Sequence, residues 1–190
     1  MNRILMNVLV LIVCGLLWIV PAQAAKAPPK VGEILPDFSM AVPGESADRS
    51  YLGLSRGGSF TIPQVNAQVV ILEVFSMYCP FCQKEAPNVN RLYQLIEENP
   101  NLRGKVKLIG IGAGNSSYEV NVFKTRYGVP FPLFPDSDYS IHGLLGNVRT
   151  PYFIAVRING DGTHQVVYSK LGAFESAESF LRLIIKSAGI

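Results

Sequence analysis

Apolar residues along this chain come first as one long block and then as short, spaced runs. Ile4 to Val20 is almost unbroken, follows the single charge of Arg3 and ends at Pro21. Ala22-Gln23-Ala24 then places small residues at the spacing of a cleavage site before Ala25, so residues 1–24 read as a secretory signal peptide. The same block fits an uncleaved anchor at the short limit for crossing a bilayer. A lipid-anchored reading would use Cys14, but Val13 is bulkier than the small residue expected before an acylated cysteine.

Residues 25–30 are rich in Pro and Lys and read as a linker; residues 31–190 read as one domain. From Val31 to Gln68 the apolar positions are sparse among Gly, Ser and Pro. That predicts an N-terminal β extension, with short extended pieces at Pro36-Asp37-Phe38, Tyr51 to Leu54 and Ser59 to Ile62. Val69 to Phe75 is apolar on both faces except at Glu73, the pattern of a central strand. A helix follows from Cys79 to about Asn99, with Leu92, Leu95 and Ile96 on its apolar side. Lys105 to Ile111 predicts a second buried strand running into a glycine-rich turn, Gly110 to Gly114.

Ser116 or Ser117 caps the next helix, with Tyr118, Val122, Phe123 and Tyr127 at helical spacing. The prolines of Phe131 to Pro135 confine that strand to an edge. Tyr139 to Leu145 predicts a short helix. Tyr152 to Ile158 and His164 to Lys170 flank Asn159-Gly160-Asp161-Gly162, a hairpin signal. Ser176 to Ser187, closed by Gly189, predicts a final amphipathic helix. Strands and helices alternate before a closing hairpin and helix, so the class is α/β.

Composition narrows the function. With 190 residues, 48% hydrophobic and 16% charged, the chain is too apolar for a disordered protein. Its 17 Lys+Arg and 14 Asp+Glu are scattered and give only +3, which excludes the basic stripe of a nucleic-acid binder. Of three cysteines, Cys14 lies in the leader, which leaves Cys79 and Cys82. A disulfide closing so short a loop removes little chain entropy, so the pair points to chemistry rather than to stability.

Cys79-Pro80-Phe81-Cys82 sits at a strand-to-helix junction. A cysteine capping that helix faces free N–H groups and the positive end of the helix dipole, which favour thiolate. Pro80 suits the first helical position because it has no N–H to leave unpaired. Cys82, one turn in, is the shielded thiol able to resolve a mixed disulfide on Cys79. Half of a zinc site is the other reading of the spacing. It would need two more ligands, and His142 and His164 are not in ligand spacing. Glu73, in the middle of an apolar strand, is costly to ionise. A carboxyl held near neutrality there can take the proton from Cys82 as that thiol attacks. A wetter strand end, with Glu73 paired to a lysine, is the alternative.

Four features resemble the thioredoxin superfamily, closest to the exported thiol–disulfide oxidoreductases of the TlpA/ResA type. The cysteine pair follows a buried strand, Glu73 precedes Cys79 by six residues, Pro87 follows it by eight, and Thr150-Pro151 precedes the strand at Tyr152. The resemblance implies a thioredoxin-like fold: a central mixed sheet flanked by helices, with an N-terminal β extension and a strand–helix insert over Lys105 to Asp136. It implies Cys79 as nucleophile, Cys82 as resolving thiol and Glu73 as proton relay. It also implies a cis bond at Thr150-Pro151 facing the cysteines, with Thr150, Pro151, Pro80 and Phe81 against the substrate and the proline keeping metal away. No cofactor is implied beyond the redox-active disulfide.

The implied partners are thiols and disulfides of client proteins, such as apocytochrome c, and a membrane thiol donor such as a DsbD/CcdA-like protein. The implied setting is the periplasm or the outer face of the cytoplasmic membrane, and the direction is that of a reductant. Two departures stand out: Tyr78 replaces the usual tryptophan, and the intervening dipeptide is Pro-Phe.

Two other readings use the same residues. A peroxiredoxin-like thiol peroxidase, with antioxidant activity, would use Ser76-x-x-Cys79-Pro80 and Arg149, although a resolving thiol three residues on is unusual there. A Sco-like copper chaperone would hold Cu(I) through both thiolates and a histidine, but that family spaces its cysteines by three residues. Tyr78, Phe81 and Tyr152 are candidates for an apolar collar around a substrate.

Overall fold

The structure, a computed structural model, describes residues 27–55 and 57–190; the leader, its cleavage site and Cys14 lie outside them. A short N-terminal layer comes first: β1 (Met40–Ala41), α1 (Ser46–Leu52), β2 (Ser59–Phe60) and a 3-10 turn at Ile62–Gln64. The main body follows as β3 (Val69–Phe75), α2 (Pro80–Glu98), β4 (Val106–Ala113), α3 (Ser117–Tyr127) and β5 (Leu133–Asp136). It closes with α4 (Ser140–Leu144), β6 (Tyr152–Ile158), β7 (His164–Leu171) and α5 (Ala177–Ala188).

Five strands form one mixed sheet in the order β5-β4-β3-β6-β7. β3, β4 and β5 run parallel, while β6 and β7 are antiparallel to their neighbours. Because side chains alternate along a strand, β3 feeds two cores. Val70, Leu72 and Val74 face the N-terminal layer and α4, among Leu52, Phe60, Ile62, Ile141 and Leu145. Val69, Ile71 and Phe75 face α2, α3 and α5, among Val89, Leu92, Ile96, Phe123 and Ile184. Glu73 has the parity of this second set, so the helical face of the sheet carries one carboxyl in its interior.

Four expectations need correction. Tyr51 to Leu54 is not extended: Tyr51 and Leu52 end α1, and Gly53 closes it in the left-handed region at φ 69°. That turn lays Tyr51 on the edge of β4 that β5 leaves uncovered, since β5 pairs only with Gly110 to Ala113. The Leu108 N–H donates to the Tyr51 hydroxyl at 2.8 Å, and the Lys107 ammonium lies 4.1 Å from its ring centre.

Gly110 and Gly112 belong to β4 rather than to a turn. A Cβ on Gly110 would stand 2.4 Å from Leu133 Cδ2, and one on Gly112 would stand 2.9 Å from Val120 Cγ2. Close packing of β5 and α3 therefore excludes larger residues. On α3, Tyr118 is exposed and Val120 takes the buried position beside Phe123. Residues 27–30, read as linker, are packed: Pro29 is buried, and a Cβ on Gly146 would lie 2.5 Å from the Ala27 carbonyl carbon. The elements from β3 to α5 otherwise fall within a few residues of their predicted spans.

Candidate active site

β3 ends at Phe75 and the chain turns through Ser76-Met77-Tyr78 into α2. Asn115, wholly buried after β4, fixes that turn: its Oδ1 accepts the Met77 N–H at 2.8 Å, and its amide donates to Ser76 Oγ at 3.5 Å. Gln83 donates to the Met77 carbonyl at 2.7 Å, and the Cys79 N–H donates to the Ser76 carbonyl at 3.0 Å. The first turn of α2 is thus tied to β3 and β4, with Cys79 at the N-cap and Pro80 at the first helical position.

The two thiols meet different surroundings. Cys79 is partly exposed and Cys82 is fully buried. The Cys79 thiol donates to the Thr150 carbonyl at 3.3 Å. Partial burial alone would raise its pKa. Hydrogen bonding from Thr150, from the Phe81 and Cys82 amides and from the Cys82 thiol outweighs that, and Cys79 lies below the ordinary thiol range. Burial dominates at Cys82, and the negative charges of Glu73 and Cys79 add to it; the N–H of Ser76 offsets only part, so its thiol is pushed far up. The two thiols therefore differ both in access and in how readily they ionise.

Glu73 lies behind this pair. Burial pushes its carboxyl up to about 8, with the charges of Glu85 and Cys79 adding to the effect. Its Oε1 is buried with no hydrogen-bond partner. No lysine pairs with it among the described residues, so the wetter alternative fails. A second buried acid escaped the sequence reading. Glu85 follows Cys82 by one helical turn, accepts the Phe174 N–H at 3.2 Å and the Asn88 amide at 3.4 Å, and is raised chiefly by burial. Its signal was present: Cys82, Glu85, Ala86, Val89, Leu92 and Ile96 make the buried stripe of α2, and Glu85 is the acid within it.

The face beside Cys79 is a cleft of about 380 Å³ whose walls include Phe81, Thr150 and Pro151. The Thr150-Pro151 peptide is cis. Pro80 is exposed on the helix end and does not line the cleft. Tyr152 is no part of a collar: it is buried, with its hydroxyl 2.9 Å from Ser169 Oγ. Tyr78 and Phe81, which flank Cys79 in the sequence, are exposed. Tyr78 donates to Glu119, whose other oxygen accepts from the Ser116 N–H and hydroxyl as the capping residue of α3. His142 Nε2 pairs with the Val148 carbonyl and His164 Nε2 with that of Leu35. Among the described residues no group of three or more His, Cys, Asp or Glu is placed to hold a metal ion.

A depressed, accessible thiol beside a high-pKa buried thiol and a carboxyl near neutrality can perform thiol–disulfide exchange. A known protein of similar sequence agrees with this chemistry, and solved structures of similar shape show the fold. The profile of the AhpC/TSA family matches residues 31–164. A thiol-disulfide oxidoreductase ResA of Halalkalibacterium halodurans is 28% identical over 148 residues, covering 78% of this chain and 80% of that protein. The thioredoxin domain of a thiol-disulfide oxidoreductase from Bacteroides vulgatus superposes with TM-score 0.59 at 13% identity, over 82% of this chain and 98% of that one. A secreted disulfide oxidoreductase of Mycobacterium tuberculosis superposes with TM-score 0.52 at 22% identity, over 68% and 90%. The fold is thioredoxin-like.

Proposed function

This chain belongs to the AhpC/TSA family, and from that premise we propose that it is a thiol–disulfide oxidoreductase that reduces disulfides in exported client proteins. The observation that carries the reading is the division of labour between Cys79, lowered and accessible, and Cys82, raised and buried beside Glu73. In the reaction, the Cys79 thiolate attacks one sulfur of a client disulfide, forming a mixed disulfide and releasing the other client sulfur as a thiolate, which takes up a proton from solvent. Cys82 gives its proton to Glu73 in its ionised form, attacks Cys79 Sγ and displaces the second client sulfur as a thiolate, which takes up a proton. The client gains two electrons and two protons, and Cys79–Cys82 becomes a disulfide. A thiol donor must then reduce that disulfide; the resemblance points to a membrane protein of the DsbD/CcdA kind.

The direction of flow is supported by what surrounds the thiols. Strong oxidants of this chemistry owe their potential to a strongly stabilised thiolate. Here Cys82 faces burial and carboxyls, and Cys79 is lowered only against the opposing effect of its own burial. The leader, Met1 to Ala24, supports export to the periplasm or to the outer face of the membrane. Apocytochrome c cysteines are the client class that the resemblance to ResA suggests.

Redox equilibration tests the reading. The Cys79–Cys82 couple should titrate nearer the thioredoxin value of about −270 mV than the value of about −120 mV typical of a strong oxidant. A potential at the oxidising end would reverse the direction. Rapid peroxide consumption without disulfide reduction would replace the reading with the peroxidase one.

A further inference from the structure

The cleft beside Cys79 has a chemical character that thiol–disulfide exchange alone does not require. Phe81, Pro151, Leu171 and Ala173 give it apolar walls. Phe81 is 72% exposed and Leu171 37%, so part of this apolar lining is open to solvent. Lys84 from α2 and Arg149 from the loop before Pro151 stand on the same cleft, and both are exposed. Neither is in an ion pair with a carboxylate among the described residues.

The remaining ionisable group in the wall, Glu85, is buried. Its carboxylate oxygens accept from the Phe174 N–H and the Asn88 amide; Lys84 draws its pKa down from nearby without forming an ion pair, and burial outweighs that pull. An apolar trough with two exposed cations on its rim, neither in an ion pair among the described residues, matches a strand that brings an apolar side chain to the walls and a carboxylate to the rim.

Resting on the oxidoreductase reading, we propose that this cleft selects client segments in which the reactive cysteine is flanked by an apolar residue and an acidic one. The apolar side chain lies against Phe81 and Leu171, and the acid meets Lys84 and Arg149. Rim charges of this kind act mainly on the encounter rate and give it salt dependence, while the apolar contact sets how long the complex lasts.

The test uses the reduced full chain and short peptides that each contain one intramolecular disulfide. One peptide carries Leu beside the cysteine and Asp two residues beyond it, a second has Lys for Asp, and a third has Gly for Leu. Hydroxyethyl disulfide, small and uncharged, reads the exchange chemistry itself. The Leu–Asp peptide should be reduced about tenfold faster than the Leu–Lys peptide at low salt, with the ratio shrinking in 0.3 M salt. It should also outpace the Gly peptide several-fold. In a Lys84→Glu/Arg149→Glu double variant the Asp-to-Lys ratio should invert, a change that loss of folding cannot produce.

Equal rates for the Asp and Lys peptides, or a ratio unchanged by the double variant, would overturn the proposal while hydroxyethyl disulfide is still reduced. Failure of the unaltered protein to reduce hydroxyethyl disulfide would overturn the oxidoreductase reading and the proposal with it.

Discussion

Cys79 Sγ and the carbonyl oxygen of Thr150 lie 3.3 Å apart, joining the start of α2 to the loop that leads into β6. Cys79 is therefore held from two directions. The helix end supplies the Phe81 and Cys82 amides to the thiolate, and the Thr150 carbonyl accepts a hydrogen bond from the neutral thiol. That geometry favours one cysteine over the other.

Alkylation should report this directly. At mildly acidic pH, iodoacetamide should modify Cys79 at least tenfold faster than Cys82 in the reduced protein, because thiolate and access are both confined to Cys79. Cys82→Ser should accumulate mixed disulfides on Cys79. Equal labelling of the two thiols, read by mass spectrometry, contradicts the assignment.

Glu73→Gln should change both stability and turnover. The folded protein keeps the Glu73 proton up to about 8, whereas the ordinary carboxyl value is 4.5. A raised folded pKa means that its contribution to stability is whole below the unfolded value and is lost as pH climbs through the folded one. Between those values the parent should lose about 1.4 kcal/mol per pH unit relative to Glu73→Gln, in denaturant melts run at several pH values. The amide cannot accept the Cys82 proton, so release of the mixed disulfide should slow while alkylation of Cys79 stays as it was. A stability difference that is flat with pH sinks the assignment.

Glu85→Gln isolates the second acid. Gln keeps an oxygen for the Phe174 N–H and removes a negative charge that raises Glu73. The pH midpoint of the resolving step should move downward, with little change in melting temperature. If the midpoint stays in place, Glu85 is only a structural acceptor.

Gly112→Ala should be costly for its size. The new methyl would sit 2.9 Å from Val120 and 3.1 Å from Asn115 Cβ. Overpacking of this kind costs about 1–3 kcal/mol, read as a fall in melting temperature. Because Asn115 fixes the Met77 N–H, exchange activity should drop as well. A fully active, undestabilised variant would show that β4 can shift freely.

Much of this architecture was legible because its signals were long or chemically unusual. β3 was readable from seven residues buried on both faces, and α2 from a proline start and a long amphipathic stripe. The hairpin of β6 and β7 was readable from its Asn-Gly-Asp-Gly turn. Glu73 was visible because a charge among Val, Ile and Leu is an anomaly. α1 was missed because it is two turns long and has no apolar period of its own; its place depends on Tyr51 reaching β4. Gly110 and Gly112 read as a turn because the reason for them, side chains from β5 and α3, lies in other parts of the chain. Glu85 was hidden by its neighbours Lys84 and Gln83, which make that turn of the helix look solvated. The cleft was illegible for a different reason, since Phe81, Arg149 and Leu171 converge only after the sheet has formed.

The Tyr51 hydroxyl on the Leu108 amide has a consequence for how the molecule behaves in company. An open strand edge is a template for pairing with any extended chain. β4 would present one beyond the short reach of β5, a hazard for any protein that meets extended chains. By laying the Tyr51 ring over that edge, the N-terminal layer would leave a client of the proposed kind the thiol as its point of attachment. A client joined through sulfur is released on the next exchange; a client joined along a strand would stay and recruit others.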